Sequence, residues 1–437
     1  MLLAFKLKNY KNFKDEVAFS MKKSEKQRDL TYSILKRKIK RRTYQALCSS
    51  VIYGPNASGK TNLIGAMEAF KAIILRGHIR NEDNFRNRNF AMHRLELIPN
   101  SQNKTCGPVE FSIEFIHADK LFSYELRADI GCFMERNAKR SIIFERLTVN
   151  EELIFVRNKR ALEFGCFSEI KQQMNNDHQR AREAAQDIAA NGLNDDELFL
   201  SNGFKSIFSI QVFDEMREWF EFNLDIVYSS ESVTYVRADE TLSEGPISSP
   251  LVNAIAQLFG TNSEKLAYVQ GDSGTELFSF FDKDKTTFAV LSEIYESYGT
   301  TRIAQQAPRV AHALLHGRVL IMDEFDASLH PMVVMSIIKL FHNETINKNH
   351  AQLIFNTHNP IFLSGDLFRR DEIKFVEQDS ETESSVVYSL ADFGTQQNGG
   401  RKHADYMKHY FKNRYGALKH VDLEPIFRKV IDGEIEV

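Results

Sequence analysis

The residues with the clearest chemistry form one short loop near the start of the chain. Residues 54–61 match the whole G-x-x-x-x-G-K-[ST] pattern of a phosphate-binding loop. An apolar run at 50–53 precedes the loop, and apolar residues at helical spacing follow it at 62–70. In a strand–loop–helix context the backbone N–H groups and the helix N-terminus point at an anion, so the sequence predicts a nucleoside triphosphate site. The predicted binding residues are Gly54, Pro55, Asn56, Ala57, Ser58, Gly59, Lys60 and Thr61.

Two residues of this loop have predicted roles in the reaction itself. Lys60 is expected to reach the β- and γ-phosphates and to act in catalysis. The hydroxyl of Thr61 is expected to bind Mg²⁺ beside the bound ATP. ATP and Mg²⁺ are therefore the predicted cofactors.

A second segment with acidic chemistry lies far along the chain. Residues 319–322 are apolar and are followed by Asp323 and Glu324, as in a buried parallel strand that carries carboxylates at its C-terminal end. We expect Asp323 to hold Mg²⁺ and Glu324 to be the general base that polarises the attacking water. An apolar strand that ends in two acids is common by chance, so this assignment depends on its neighbours.

Those neighbours support it. Asp326 begins a loop that reaches Pro331 and precedes a predicted helix. Another apolar strand, 353–356, is followed by Thr357 and His358. A lone histidine after a strand is usually structural, but after a Lys/Thr loop and an Asp-Glu strand His358 is predicted to sense the γ-phosphate.

Composition narrows the class of protein. The chain has 437 residues, 43% of them apolar, and a net charge of −3, which argues against a basic coat for nucleic acid. Its four cysteines, Cys48, Cys106, Cys132 and Cys166, stand far apart, which predicts reduced thiols and neither a zinc site nor a disulfide framework. The sequence contains no long apolar run and no signal-peptide core, so we expect a cytoplasmic protein without a membrane partner.

The pattern along the chain predicts an α/β fold in three parts. Residues 1–160 read as the N-terminal part of an ATPase head, with a β-rich lobe that includes hairpins at 109–130 and 141–157. Residues 161–285 read as a helical insertion, in which the amphipathic stretch Phe204–Ile226 with Trp219 is a candidate dimerisation or partner surface. That stretch packing on its own head is the alternative. Residues 286–437 read as the C-terminal part of the head.

One segment is strongly basic. Residues 36–42 carry six positive charges in seven positions. The simpler interpretation is a solvated edge of the β lobe, and the alternative is a local contact with DNA phosphates. No aromatic residues interleave the charges, so sequence-specific readout is not expected.

Several runs resemble a known superfamily. The run Glu296–Thr300 resembles the signature loop of ATP-binding-cassette ATPases, and the order of phosphate loop, signature, Asp-Glu strand and terminal histidine is the order of that superfamily. The opening run Phe5–Lys14 is similar to the start of chromosome-maintenance, RecF-type and OLD-type ATPases. The runs Arg369–Ile373 and Arg414–Ala417 narrow the resemblance to AAA15/AAA21-type ATPases of bacterial abortive-infection systems. The resemblance covers residues 1–75 and 285–420.

The resemblance implies an ABC/SMC-type head that acts as at least a homodimer. By position, Ser297 and Gly299 would act on the ATP of the partner subunit, and Asp326 would lie in the loop that crosses the dimer. Tyr298 departs from the family pattern, and the loop glutamine that usually contacts Mg²⁺ has no clear counterpart. Such proteins usually control a separately encoded effector, often a TOPRIM or HNH nuclease. The alternatives are a RecF-type DNA-repair ATPase that binds DNA directly and a nucleotide-gated scaffold, which the intact Asp323-Glu324 pair disfavours.

Overall fold

The computed structural model is a mixed α/β structure whose described residues form four sheets. It describes the chain apart from residues 26, 28–29, 81–94, 104–105, 136–137, 176–178, 229–245, 262, 272–273, 284–285, 380, 394–404, 420 and 436–437. The strands are β1 (Leu2–Lys8), β2 (Val17–Ser20), β3 (Ile34–Ile39), β4 (Arg42–Leu47), β5 (Ser49–Tyr53), β6 (Val109–His117), β7 (Lys120–Asp129), β8 (Ser141–Val149), β9 (Glu152–Asn158), β10 (Ala161–Phe164), β11 (Leu224–Val227), β12 (Ile247–Ser248), β13 (Lys265–Gly271), β14 (Gly274–Lys283), β15 (Thr286–Leu291), β16 (Val319–Met322), β17 (Gln352–Asn356), β18 (Ile373–Gln378) and β19 (Ser385–Ser389).

Helices cover and connect these sheets. The α-helices are α1 (Lys60–Arg76), α2 (Gln179–Asp187), α3 (Lys205–Ile207), α4 (Ile210–Glu218), α5 (Pro250–Leu258), α6 (Ser292–Tyr295), α7 (Tyr298–His316), α8 (Pro331–His342), α9 (Tyr406–Phe411) and α10 (Glu424–Ile431). Two of these helices have well-defined termini. Gly77 ends α1 in the left-handed conformation with φ 76°, and the Ser249 hydroxyl caps α5 by accepting from the Val252 N–H. In the described residues, no helix is long and apolar enough to cross a membrane.

The predicted β lobe is an antiparallel sheet of seven strands in the order β10-β9-β8-β7-β6-β1-β2. Both predicted hairpins are confirmed, with turns at 118–119 and 150–151. Along β6 the side chains alternate between buried and half-buried, as expected when one face of an antiparallel sheet covers a core. That core is shared with α1, whose Leu63 and Phe70 are buried in it.

The sheet that positions the predicted site has the order β11-β16-β17-β5-β18-β19 and is parallel except at β19. Every residue of β5, β16 and β17 is buried, because helices and the β lobe cover both faces. The carboxyl ends of parallel strands lie along one edge of a sheet. The phosphate loop, Asp323 and His358 follow three of these ends and therefore share that edge.

The expectation of a helical insertion at 161–285 is wrong for much of that span. Its residues include β11, which pairs with β16 inside the parallel sheet, and strands of the four-stranded sheet β12-β13-β14-β15. The predicted helix extends too far, into β11. Leu224–Val227 is short, apolar and buried at its ends, and such a pattern fits a strand as well as a helix. The three-part division of the chain remains a prediction.

Of the two interpretations of the stretch Phe204–Ile226, packing on its own head is confirmed for Trp219. Its indole is 0% exposed and stacks on Phe115 of the β lobe, with ring centroids 3.9 Å apart. Phe220 is buried beside it, at 5.1 Å between ring centroids. This stretch packs on its own head because a large aromatic face gains more by joining that core than by staying exposed.

Two cysteines depart from the prediction of four separate thiols. Cys106 and Cys132 form a disulfide, with Cα atoms 4.9 Å apart. They flank the paired ends of β6 and β7, where Val109 lies opposite Ala128, so the antiparallel register brings them together despite their separation in sequence. Cys48 and Cys166 are free.

Candidate nucleotide site

The phosphate loop connects β5 to α1 and needs glycine at two positions. Gly59 precedes the helix with φ 107°, which L-residues rarely adopt, and the Asn12 amide occupies the place of a side chain. At Gly54 a side chain would collide with the backbone carbonyl of Val376 on the neighbouring strand β18. The loop is therefore fixed by close backbone approaches that the sequence pattern only implies.

Lys60 is buried at the first position of α1. Its ammonium group donates to the carbonyls of Gly54 at 2.7 Å and Pro55 at 2.9 Å. Burial lowers the pKa of Lys60 to about 8, and the nearby carboxylates of Asp323 and Glu324 partly oppose that shift. A cation that is short of hydration and held against this loop is suited to bind a phosphate anion.

Thr61 and Asp323 meet as predicted for a magnesium site. The Thr61 hydroxyl donates to Oδ1 of Asp323 at 3.1 Å, and the amide of Asn356 donates to the same oxygen. Burial raises the pKa of Asp323, because desolvation disfavours its charge. Hydroxyl and carboxylate oxygens are ligands that Mg²⁺ prefers, so these two residues fit the ion.

Glu324 has an unusual backbone. Its φ is 48°, in the left-handed region, and its N–H donates to Oδ1 of Asn356 at 2.5 Å. A non-glycine residue keeps this conformation only where its surroundings fix it, which is typical of functional sites. The side chain is exposed, so water can reach the carboxylate of this predicted base.

Asp326 and His358 lie close enough to Glu324 for its carboxylate to influence the pKa of both. Oδ2 of Asp326 accepts from the Thr357 hydroxyl at 2.7 Å, which ties the loop after Glu324 to the end of β17. Burial raises the pKa of Asp326. The pKa of His358 is lowered, first by burial and then by the charge of Lys60, so its imidazole is neutral near neutral pH and can donate one hydrogen bond.

The predicted signature residues stand at the start of α7. The Ser297 hydroxyl caps the helix by accepting from the Thr300 N–H at 3.1 Å, and its side chain is exposed. A side chain at Gly299 would approach the Ser328 carbonyl to 2.9 Å, so this helix start packs against the loop that contains Asp326. Among the described residues, the hydrogen bonds of Ser297 stay within α7 and do not join it to its own phosphate loop.

The sequence analysis missed a polar clamp on the phosphate loop. The Asn12 amide donates to the Ser58 carbonyl at 3.0 Å and to the Ser385 hydroxyl at 2.5 Å, and Ser385 donates to the same carbonyl at 2.6 Å. Asn62 of α1 donates to Oδ1 of Asn12 at 2.8 Å. Asn12 lies in the opening run Phe5–Lys14, which resembles known ATPases, and that resemblance was the only sequence feature that pointed to it. Nothing in the sequence distinguishes Ser385.

A second missed residue is Tyr228, which follows β11. The Asp323 N–H donates to the Val227 carbonyl at 2.9 Å, so Tyr228 stands beside the Asp-Glu strand at the carboxyl edge of the sheet. Its hydroxyl donates to Glu96 at 3.1 Å, and Glu96 also accepts from Lys11 at 2.7 Å. No sequence pattern pointed to Tyr228, because this segment reads as the end of a helix.

The basic segment 36–42 forms the hairpin of β3 and β4. Lys40 pairs with Glu169 at 2.5 Å, and Arg42 pairs with Glu151, so acids of the β lobe engage two of the six cations. Both pairs are exposed and contribute little to stability. Lys36, Lys38 and Arg41 face solvent, which fits the interpretation of a solvated edge.

Comparisons with known proteins agree with this site. A solved structure, the SMC head domain from Thermotoga maritima, is similar over 89% of this chain and 98% of its own, with 12% sequence identity and a TM-score of 0.36. That likeness is too low to support a conclusion about this chain. No curated protein matches the sequence. The profile of the family described as "AAA domain, putative AbiEii toxin, Type IV TA system" matches residues 49–364, including the middle of the chain. The match spans the phosphate loop, the Asp-Glu strand and His358 and covers more than half of the sequence, so the chain belongs to this AAA family.

Proposed function

We propose that the protein is a cytoplasmic, magnesium-dependent ATPase. The observation that carries this proposal is the contact between the Thr61 hydroxyl and the Asp323 carboxylate at 3.1 Å, beside the buried ammonium of Lys60. Residues from distant parts of the chain thus supply a cation for phosphates and two oxygen ligands for a metal ion. Mg²⁺ held by Thr61 and Asp323 would neutralise phosphate charge.

In the proposed reaction, each residue of this chain has a separate task. Glu324 accepts a proton from the attacking water, and its exposed carboxylate is accessible to that water. Lys60 stabilises charge on the β- and γ-phosphates. His358 donates a hydrogen bond to the γ-phosphate through the one N–H group of its neutral imidazole.

We infer further that the site is completed by a second copy of the chain. The exposed Ser297 caps α7 without contacting its own phosphate loop, and Gly299 lets this helix start lie close to the loop of Asp326. In a head-to-head dimer, the N-terminus of α7 would present N–H donors and its positive end to the partner's γ-phosphate. Hydrolysis would then depend on assembly.

The biological role that we propose is regulation of a separate effector in anti-phage defence. The family description names a type IV toxin–antitoxin system, which supports a role in such a module. ATP bound between two heads favours the closed dimer by its differential affinity for the two states. Closure or hydrolysis could then change how the dimer holds an effector, for which a TOPRIM or HNH nuclease is the proposed class.

Two experiments test this function. Purified protein should release phosphate from ATP with Mg²⁺ and stop when EDTA removes the metal; magnesium-independent turnover would contradict the proposed site. To test the proposed role in defence, phage plating is measured on cells that carry the gene of this protein. The neighbouring gene is present in one strain and deleted in the other. Protection that survives deletion of the neighbouring gene would rule out the separate effector.

A further inference from the structure

A cavity of about 220 Å³ lies at the edge of the parallel sheet opposite the phosphate loop. Gly317 and His350 line it just before the amino ends of β16 and β17, whose carboxyl ends carry Asp323 and His358. The cavity is therefore separate from the nucleotide site, at the other end of the same strands. Its polar lining includes Arg37, His117, Asp119, His316, Asn349 and His350. Asn223 and the N-terminal residue Met1 line it as well.

Basic side chains from four separate segments converge on this cavity. Arg37 comes from β3, His117 from the end of β6, His316 from the last turn of α7, and His350 from the loop before β17. Among the described residues, Arg37 forms no ion pair with an acid, unlike Lys40 and Arg42 of the same hairpin. Arg37 carries a permanent positive charge that an anion would neutralise, and the N–H groups of the three imidazoles can donate hydrogen bonds to the same anion.

The surrounding acids and dipoles only partly offset this positive charge. Asp119 lines the rim and is exposed. Glu218 lies 3.8 Å from Nε2 of His117, while Glu215 is paired with Lys120 at 2.7 Å. The Asn349 amide donates to the carbonyls of Leu314 at 3.2 Å and Leu315 at 2.8 Å. These bonds satisfy two carbonyls at the negative end of α7, where the helix meets the cavity.

The chemistry of the lining favours an anion over a metal ion. Among the described residues, these imidazoles and Asp119 do not form a group whose ligand atoms all lie within 4.8 Å of one another, so one ion could not bind them together. Arginine and imidazole N–H groups are instead the usual donors to phosphate oxygens. We propose that this cavity is a second anion site, which binds a phosphate group through Arg37 and the imidazoles of His350 and His316.

A cavity of about 220 Å³ has room for a phosphate group. The group could be free phosphate or the terminal phosphate of a nucleic acid strand, because both present the same oxygens. Titrations with inorganic phosphate test the first source. Titrations with a 5′-phosphorylated oligonucleotide, compared with the same oligonucleotide carrying a 5′-hydroxyl, test the second.

The test uses the full chain with Lys60→Ala, so that the phosphate loop does not contribute. Binding of inorganic phosphate is measured by calorimetry in that background, alone and combined with Arg37→Gln or His350→Asn. Asparagine suits position 350 because His350 has φ 62°, which asparagine tolerates. Each change should weaken binding by about tenfold or more, the loss expected for one charge-assisted hydrogen bond.

The matched control is Lys38→Gln, which removes a positive charge from the adjacent, exposed position of β3. It should leave phosphate affinity within about twofold, because neighbouring side chains of a strand point to opposite faces. Equal losses in Arg37→Gln and Lys38→Gln would mean a diffuse surface field and would overturn the proposal. No measurable binding at millimolar phosphate would overturn it as well.

A pH series with sulfate adds a readout that a surface field would not give, because the charge of sulfate is constant near neutrality. Burial lowers the pKa of His117 and of His350, and Arg37 lowers that of His350 further. Glu218 opposes the shift of His117. The N-terminal amino group of Met1, whose own pKa burial lowers to about 5, lowers the pKa of both histidines. Binding of an anion should therefore take up protons, so affinity should rise as the pH falls from about 8 to about 6. In His350→Asn this rise should shrink, and an unchanged rise would exclude His350 from the site.

Discussion

The hydroxyl of Thr61 and the carboxylate of Asp323 are hydrogen-bonded at 3.1 Å although 262 positions separate them in the chain. The contact exists because α1 starts at the carboxyl edge of the parallel sheet, where β16 also ends. The amide of Asn356 in β17 donates to the same carboxylate oxygen. The proposed magnesium ligands are thus positioned by three elements, and each residue's contribution can be tested separately.

Lys60→Ala is expected to abolish ATP binding, because it removes the main cation that faces the β- and γ-phosphates. A loss of at least about 100-fold follows if two charge-assisted contacts of about 1.5–3 kcal/mol each disappear. Calorimetric titration with ATP measures it. Lys38→Ala, an exposed lysine on β3, is the control and should bind normally.

ATP binding should also take up a proton near pH 8. The pKa of Lys60 is lowered to about 8, so the nucleotide-free ammonium is partly deprotonated there. Phosphate charge favours the protonated form and raises that pKa, so protons bind together with ATP. Titrations in buffers of different ionisation enthalpy measure this uptake, which Lys60→Ala should reduce; uptake that persists would assign it to another group.

Glu324→Gln should keep ATP binding and stop turnover, because a carboxamide cannot accept the proton of the attacking water. General bases contribute about 10²–10⁴-fold, so phosphate release should fall to background. Glutamine keeps the length of the side chain at φ 48° and leaves the hydrogen bond from the backbone N–H intact. Turnover at the wild-type rate would show that another group is the base.

Mixing two inactive variants tests whether the site is shared between subunits. Ser297→Arg is defective only in the start of α7, and Lys60→Ala only in the phosphate loop. A dimer of the two retains one intact loop that faces one intact Ser297, so the mixture should regain part of the wild-type phosphate release. If mixed dimers form and remain inactive, the site is completed within one chain.

Asn12→Asp tests the clamp on the phosphate loop. An aspartate has nearly the same shape but cannot donate to the Ser58 carbonyl or the Ser385 hydroxyl, so the loop loses a support. ATP affinity should fall by about tenfold, while a circular dichroism melt shows the chain still folded. The surface change Asn191→Asp is the control for added charge and should leave affinity unchanged.

The sequence by itself predicted the residues of the candidate nucleotide site and the type of most elements near it. The phosphate loop, the Asp-Glu strand and His358 are local patterns, and each has a cause that acts within a few residues: glycine conformations, an apolar strand, a turn. The hairpins of the β lobe were also readable, because alternation and turn residues are local signals.

Only the tertiary structure decided what depends on distant contacts. Asn12 and Ser385 meet at Ser58 because the turn after β1 and the start of β19, which belong to separate sheets, both contact the phosphate loop. No short sequence pattern encodes that contact. The burial of Trp219 against Phe115 and the pairing of β11 with β16 likewise follow from packing, because the same apolar runs fit a free helix or a buried strand. Sequence patterns specify local geometry, whereas the burial of each face is decided when the sheets and helices assemble.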